Sequence, residues 1–357
     1  MGEHDSIGLD PDWVAPQVVV EGRRPNGAEF AGFIGTGQMS RNARFRLDWG
    51  GAGTGAEPPS VVVKVPSSHD NTRALSFQYP IYSRECDFYR SIHSMVDVIA
   101  PMSHAVHFDQ EGQDFAIVLE DLAESEQGDQ FSEVTDDQLV LAIQQAAALQ
   151  GPVWGRTTGP AFGAFSSSVE ERATITQETM PFFLPAVYER LAAGVDPDVL
   201  ELIDWFATSA GAWTRLAAVP TTLVHGDFRP DNFMFGRSPS APGLAIVDWQ
   251  TLSLGRGVTD VSYLLGAAVT PERRRRIEHD MLARYCEELQ RYEVDYRIDR
   301  CVDEYAIGSL HGVLTAIRAT LTAARTERGD ELFTLMLNRH GRHALDVGAV
   351  DRVEQSR

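Results

Sequence analysis

The sequence predicts an α+β fold in two lobes, with a β-rich N-terminal lobe and a mostly helical C-terminal lobe. Its 357 residues exceed one ordinary hydrophobic core. Short apolar runs rich in β-branched and aromatic residues recur up to residue 122. From Thr135 onward, the apolar residues recur with helical spacing. A polar run that reaches about Gln130 separates the two patterns, so we place the lobes at residues 1–122 and 123–357.

The N-terminal lobe is predicted to start with a polar lead-in to about residue 28, with a candidate short strand at Val18–Val20. Residues 30–47 then predict two strands joined by a glycine turn, because apolar and charged residues alternate after the turn. The turn that includes Gly35, Gly37 and Ser40 could simply connect the strands. Alternatively, its backbone N–H groups could approach phosphate oxygens closely.

A lysine interrupts the next predicted strand, Val61–Val65. An ammonium group in an apolar strand is costly unless it finds a partner or reaches water. Lys64 is therefore either an edge-strand residue or a phosphate ligand. One helix is predicted near residues 83–95, and Glu85 near its start could meet Lys64 or only complement the helix dipole.

Residues 101–122 predict two more strands, the second of which ends in Glu120-Asp121-Leu122. In the C-terminal lobe, Thr135 is a suitable N-cap for a helix that runs to Gly151. Asp260 lies at the start of another predicted helix, and the final dozen residues look frayed. Further helices are expected over residues 181–193, 197–216, 271–291, 301–324 and 331–345.

Two stretches place acidic and amide side chains beside apolar runs. The first, Leu223–Phe235, contains Asp227 and, five residues later, Asn232. The second, Ala245–Gln250, contains Asp248. Two carboxylates and an amide at strand ends suit Mg²⁺, which prefers oxygen ligands, and one carboxylate remains to act as a base.

Composition and charge restrict the partners. The formal net charge is −20, which is the wrong sign for a protein that binds a phosphate backbone, so we expect no nucleic-acid partner. No apolar run is long enough to cross a membrane. The three cysteines form no CxxC pair, and the N-terminus has no apolar signal core, so we expect a cytoplasmic location. The oligomeric state stays open.

Phosphoryl transfer needs a loop over the phosphates, a cation on them, Mg²⁺ ligands and a base near the acceptor hydroxyl. The chain offers candidates for all of these in a fixed order along the sequence. Each candidate is ambiguous alone, but their ordered co-occurrence predicts an ATP-dependent kinase.

The order and wording of these motifs resemble the aminoglycoside phosphotransferase and choline kinase superfamily, which has a protein-kinase-like bilobal fold. Within it, the chain looks most similar to ecdysteroid-kinase-like small-molecule kinases. That branch often has Leu-Trp where this chain has Phe228-Arg229. The resemblance runs from about residue 30 to 290. It rests on His225-Gly226-Asp227-x4-Asn232, Val247-Asp248-Trp249-Gln250, Asp260-Val261-Ser262-Tyr263-Leu264-Leu265, Val118-Leu119-Glu120-Asp121-Leu122 and Glu85-x2-Phe88-Tyr89.

The resemblance implies a role for each matching residue. Asp227 would be the catalytic base, Asn232 and Asp248 would hold Mg²⁺, and Arg229 could reach the γ-phosphate. The implied ATP-binding residues are Gly35, Gly37 and Ser40 over the phosphates, Lys64 on the α- and β-phosphates, Glu85 orienting Lys64, and backbone groups near Glu120 and Leu122 on adenine. His225 and Asp260 would brace the catalytic loop.

We expect the acceptor to be a small alcohol such as an aminoglycoside, a choline-like compound or a steroid-like compound. A protein kinase would need a longer peptide-docking segment ending in Ala-Pro-Glu, whereas only residues 249–259 separate Asp248 from Asp260. A non-catalytic or protein-directed nucleotide-binding regulator is the alternative function. A non-catalytic regulator would be expected to lack Asp227, Asn232 or Asp248, and all three are present.

Overall fold

A computed structural model describes residues 6–35, 39–51, 54–166, 168–238, 240–322 and 325–356. The ten strands of these residues are β1 (Gly27–Ile34), β2 (Ser40–Asp48), β3 (Ser60–Pro66), β4 (Ser103–Asp109), β5 (Asp114–Glu120), β6 (Ser125–Gln127), β7 (Thr222–Val224), β8 (Phe233–Gly236), β9 (Leu244–Ile246) and β10 (Ser253–Gly255). The α-helices are α1 (Pro11–Gln17), α2 (Asp70–Gln78), α3 (Ile81–Asp87), α4 (Asp136–Gln150), α5 (Val169–Arg190), α6 (Pro197–Ala217), α7 (Val258–Ala268), α8 (Pro271–Gln290), α9 (Ile298–Gly308), α10 (Leu310–Thr322), α11 (Glu327–Asp346) and α12 (Ala349–Glu354).

The N-terminal part is one antiparallel sheet in the order β1-β2-β3-β5-β4. Its strands are rich in Val, Ile and Phe, whose branched or flat side chains pack well on a pleated surface. Phe45, Val63 and Val118 are fully buried in its core. The predicted strands over residues 30–47, 61–65 and 101–122 are confirmed, as is the α+β class.

The expected strand at Val18–Val20 is wrong. Asp10 caps α1 by accepting a hydrogen bond from Asp12 N, and Pro11 occupies the first helical position. This local start signal produces a helix that buries Val14 among the residues of the sheet, and Val18, the C-cap residue, is buried there too. Only Val20 pairs in β fashion, through one isolated bridge.

The helix expected near residues 83–95 is present, but it is not uniform. α3 continues into a π-helical turn at Phe88–Ile92 and a 3-10 turn at His93–Met95. α2 precedes it and has no counterpart in the sequence predictions. α3 carries Glu85 on its buried side, which places that carboxylate under the sheet.

The C-terminal part is mostly helical. Thr135 caps α4 with a full capping box, as predicted. α5 begins at Val169 rather than near residue 181, because Ser168 caps it by accepting from Glu171 N. The helix expected over residues 301–324 is two helices, α9 and α10, and α12 occupies the end that was expected to be frayed.

Two small sheets carry the functional stretches. β7 pairs with β10, and β6, β8 and β9 form a three-stranded sheet. β8 and β9 pair as neighbouring antiparallel strands. The division between residues 122 and 123 stays a prediction. None of the helices in the described part of the chain is long and apolar enough to cross a membrane.

Candidate active site

The loop that connects β7 to β8 contains Asp227. Gly226 has φ +83°, a backbone conformation that favours glycine. A Cβ atom at this position would lie only 2.8 Å from the Thr251 carbonyl oxygen. The sharp turn at Gly226 therefore allows the chain to leave β7 and present Asp227.

Two hydrogen bonds and one ion pair hold the Asp227 carboxylate. Asn232 Nδ2 donates to Oδ2 at 2.8 Å, and Tyr263 Oη donates to Oδ1 at 3.0 Å. Arg229 Nε forms an ion pair with Oδ1 at 3.0 Å. The side chain of Asp227 is still 19% exposed. Each carboxylate oxygen accepts one hydrogen bond, and Oδ1 also pairs with the Arg229 cation, so Oδ2 is the oxygen better able to accept a proton from an acceptor hydroxyl.

A buried carboxylate braces the backbone of this loop, as predicted. Asp260 accepts hydrogen bonds from His225 N at 2.8 Å, Gly226 N at 3.0 Å and Gln150 Nε2 at 2.9 Å. Burial raises the pKa of Asp260 to about 7, although these hydrogen bonds oppose the shift.

The His225 ring makes two contacts that also fix the loop. Its Nε2 lies 3.2 Å from Val247 O, and its Nδ1 accepts from Asp227 N at 3.2 Å. Burial lowers the pKa of His225. A neutral ring with its proton on Nε2 satisfies both contacts. His225 therefore braces the loop, as the resemblance implied.

Lys64 lies between two carboxylates. Its Nζ is 2.6 Å from Glu85 Oε2 and 3.1 Å from Asp248 Oδ1. Burial opposes its charge, but Asp248 and Glu85 outweigh burial, and the pKa of Lys64 is raised. The edge-strand alternative is wrong because β3 lies between β2 and β5. The expected contact between Lys64 and Glu85 is confirmed.

Asp248 has a strained backbone and an accessible side chain. Its φ is +69°, an uncommon value for a residue other than glycine. The side chain is 41% exposed. Burial of the site raises the pKa of Asp248, but Lys64 outweighs that effect, and the pKa is lowered. Asp248 is therefore an ionised carboxylate that faces the cleft.

The residues expected to bind Mg²⁺ lie on paired strand ends. Val247 N donates to Asn232 O at 3.0 Å, so Asp248 and Asn232 are neighbours across the ladder. The Asn232 amide nitrogen is already bonded to Asp227, which leaves the side-chain oxygen as its cation ligand. The described residues contain no group of three or more His, Cys, Asp or Glu side chains that could hold a metal ion by themselves. Two protein ligands nevertheless fit Mg²⁺, which commonly takes its other ligands from water and substrate phosphates.

The glycine turn is only partly described. Gly35 has φ +74°, and Gly37 lies outside the described residues. Ser40 is buried, and its Oγ accepts a hydrogen bond from Gln250 Nε2 at 3.1 Å. This bond joins β2 to the residue two positions after Asp248.

The segment expected to contact adenine already uses two of its backbone groups. Glu120 N donates to Met102 O at 2.8 Å, and the Leu122 carbonyl accepts from Ser125 N at 2.9 Å. Adenine contacts at Glu120 and Leu122 would therefore have to use their other backbone groups.

Several residues in the site escaped the sequence reasoning. Tyr263, which bonds Asp227, lies three residues after Asp260, so both fall on one face of α7 and the spacing could have revealed it. Gln130 Oε1 accepts from Arg229 Nη1 at 2.6 Å, and no local sequence pattern indicates this contact.

Lys64, which the sequence did indicate, is also the only lysine in the chain, and this composition alone singles it out.

Most of the chain, including Lys64, Asp227 and Asp248, matches a known protein family. The model of the phosphotransferase enzyme family matches residues 40–294, which is well over half of the chain. A curated relative from Arabidopsis thaliana, the probable acyl-CoA dehydrogenase IBR3, is 38% identical over 68 residues. These residues are 19% of this chain and only 8% of that protein's length.

Two solved structures share the architecture. The GDP complex of aminoglycoside 2'-phosphotransferase-IIIa is 15% identical, with 88% of this chain and 93% of that chain covered and a TM-score of 0.52. An ethanolamine kinase from Plasmodium vivax is 10% identical, with 88% and 81% covered and a TM-score of 0.52. These likenesses confirm the protein-kinase-like fold.

Proposed function

The chain belongs to the phosphotransferase enzyme family, and we propose that it transfers the γ-phosphate of ATP, with Mg²⁺, to an alcohol group of a small molecule. The observation that carries this proposal is the convergence of two sets of residues. Lys64, Glu85 and Asp248 form one ionic group, and Asp227 is held by the neighbouring loop.

The nucleotide would lie on the ionic group. Lys64 would move from Asp248 toward the α- and β-phosphates, while Glu85 keeps it oriented. Asn232 and Asp248 would hold Mg²⁺, which neutralises charge on the phosphates. This neutralisation matters in a protein with a net charge of −20, which otherwise repels a nucleotide. The bound GDP of aminoglycoside 2'-phosphotransferase-IIIa supports nucleotide binding by this fold.

Asp227 would act as the base. Its Oδ2 can accept the hydrogen of the acceptor hydroxyl as the oxygen attacks the γ-phosphorus. Asn232 and Tyr263 fix the carboxylate before the acceptor arrives, so little reorganisation is needed at the moment of transfer.

A small acceptor fits the chain better than a peptide. Only residues 249–259 separate Asp248 from Asp260, and much of that segment is used by β10 and its contacts. Ethanolamine kinase is a relative in fold whose named acceptor is a small alcohol. Aminoglycosides, choline-like compounds and steroid-like compounds are the acceptor classes considered from the sequence.

The test is phosphate transfer by the purified protein with Mg²⁺ and either ATP or GTP, against a panel of small alcohols, with products identified by mass spectrometry. We expect at least one phosphorylated acceptor. Asp227→Ala should abolish its formation while the nucleotide still binds. Nucleotide binding without transfer to any acceptor would instead support a non-catalytic regulator.

The single lysine offers a direct check of the nucleotide site. An amine-reactive acyl-phosphate analogue of ATP should add one label at Lys64, and excess ATP should prevent it. Lys64→Arg is the control, since only the N-terminal amine remains to react. Labelling that ATP does not reduce would contradict the assignment of Lys64.

A further inference from the structure

Three arginines from separate elements lie together, and we call them the arginine cluster. They are Arg84 of α3, Arg172 of α5 and Arg318 of α10. Arg318 Nη2 donates to Thr176 Oγ1 at 3.3 Å, one helical turn from Arg172. The charge of Arg84 lowers the pKa of Arg172, and the charge of Arg172 lowers the pKa of Arg318. The three guanidinium groups therefore share one local environment.

The arginine cluster lies beside the catalytic loop. Arg172 Nη1 donates to Leu254 O at 2.9 Å, on the strand that pairs with β7. The charges of Arg172 and Arg318 both lower the pKa of His311. The Nε2 atom of that ring lies 2.6 Å from Gly226 O. Gly226 directly precedes Asp227, so the cluster is near the proposed base.

The cluster also reaches the nucleotide side of the cleft. Arg84 directly precedes Glu85, which holds Lys64. Arg84 thus comes from the N-terminal sheet's helix, whereas Arg172 and Arg318 come from the helical part. The cluster therefore lies at the junction of the two parts, and ligand sites commonly form at such junctions.

Within the described residues, no acidic side chain contributes to the pKa shift of Arg84 or Arg172. Burial alone lowers the pKa of Arg84, and burial followed by Arg84 lowers the pKa of Arg172, without a carboxylate contribution to either. Within the described residues, Arg84 Nε is buried and has no hydrogen-bond partner. Partly buried guanidinium groups without an anion are costly, and a bound anion would offset that cost.

We propose that the arginine cluster binds a carboxylate or phosphate group of the acceptor, whose hydroxyl then faces Asp227. This inference rests on the proposed phosphotransferase function. Guanidinium groups bind both kinds of oxyanion in bidentate fashion, so the shared chemistry is a planar or tetrahedral oxyanion. The acceptor class is therefore a hydroxy acid or a phosphorylated alcohol, and cationic acceptors such as aminoglycosides or choline would be repelled.

Matched acceptors test the charge preference. Glycerate, glycerol phosphate, glycerol and serinol have similar size and carry a carboxylate, a phosphate, no charge and an ammonium group. A series of longer hydroxy acids, with their amides and the matching amino alcohols, covers greater distances. We expect the anionic member of each set to have the highest kcat/KM. Comparison of glycerate with glycerol phosphate distinguishes the two oxyanions.

Variants of Arg172 test the cluster itself. Arg172→Gln should raise the acceptor KM for the anionic substrate by about tenfold to a hundredfold, since a charge-assisted hydrogen bond is lost, and leave the nucleotide KM unchanged. Arg172→Lys should recover part of the affinity. Arg215→Gln is the control, because Arg215 of α6 pairs with Glu170 at the exposed start of α5, and its loss should have no effect.

Binding without turnover separates this inference from the proposed function. Calorimetry with Asp227→Asn should show glycerate or glycerol phosphate binding that Arg172→Gln weakens in the same background. If wild-type protein transfers no phosphate but this binding persists, the phosphotransferase proposal fails and the anion site stands. Preference for glycerol or serinol, or an effect of Arg172→Gln on the nucleotide KM alone, would overturn the anion site.

Discussion

The Asp227 carboxylate and the arginine cluster lie near each other and are built in opposite ways. Asp227 receives hydrogen bonds from Asn232 and Tyr263 and an ion pair from Arg229. Arg84 and Arg172 have no carboxylate acting on them within the described part of the chain. The partners of Asp227 are in place before any substrate arrives, as a preorganised catalytic group requires. In our proposal, the arginine cluster gains a charged partner only when a ligand binds, as a recognition site does.

The ionic group around Lys64 is also formed before a substrate binds, and apart from Asp227 itself, its disruption should have the largest effect. Lys64→Met should lower kcat/KM by about 10²–10³-fold because the phosphates lose a charged ligand. Glu85 would also be left buried without its cation, which destabilises the fold by about 3–5 kcal/mol.

Steady-state kinetics and denaturant unfolding would measure both effects. Lys64→Arg is the matched variant that retains the charge, so it should fold better than Lys64→Met. A methionine variant with wild-type kinetics would show that the ionic group is only structural.

The brace at Asp260 should make stability depend on pH. Its pKa is about 7 in the folded protein and lower when unfolded, so it stabilises the fold most in acid and the contribution is lost as pH rises through 7. Between pH 5 and 8, wild type should lose about 2–3 kcal/mol of unfolding free energy relative to Asp260→Asn.

Chemical denaturation of both proteins across this pH range checks the expectation. Asp299→Asn, on the exposed surface, should follow wild type. A constant difference between wild type and Asp260→Asn would mean that Asp260 does not titrate in this interval.

Loss of the Tyr263 hydroxyl should loosen the base without removing it. Tyr263→Phe should lower kcat about tenfold and leave the nucleotide KM unchanged, because one hydrogen bond to Asp227 is lost.

A Tyr263→Phe variant that unfolds more easily but keeps the wild-type kcat would mean that Tyr263 is only structural. Tyr305→Phe is the control, since Tyr305 donates to Glu278 away from the loop. It should leave kcat unchanged.

The smallest effect is expected at Gln130, which holds Arg229. Gln130→Ala should lower kcat by about threefold, because Arg229 keeps its ion pair with Asp227 but loses a support. Stopped assays at saturating substrate would measure the change. An effect larger than that of Tyr263→Phe would mean that Arg229 contacts the transferred phosphate, a role that stays a prediction.

Local sequence patterns were enough to predict several residues of the candidate site. Lys64 interrupts a β-branched strand, and Asp227, Asn232 and Asp248 lie beside apolar runs. Their place in one functional site could therefore be inferred from short stretches of sequence. The roles of these residues, the adenine contacts of Glu120 and Leu122, and the ecdysteroid-kinase-like branch stay predictions.

The arginine cluster could not be predicted in the same way, because its members come from α3, α5 and α10. Contacts between distant segments follow from packing rather than from local pattern. The late start assigned to α5 also left Arg172 outside any predicted helix, since the Ser168 cap went unrecognised. The missing carboxylates around Arg84 and Arg172 became visible only in the folded chain.

If Asp227 is the base of a phosphotransferase, two Asp-to-Asn substitutions in its loop should differ strongly in their effect on phosphate transfer. Asp227→Asn and Asp231→Asn each remove one carboxylate from the same loop, four residues apart. Single-turnover transfer from γ-labelled ATP should fall about 10²–10⁴-fold in Asp227→Asn and stay close to wild type in Asp231→Asn. Equal rates in wild type and Asp227→Asn would contradict the account.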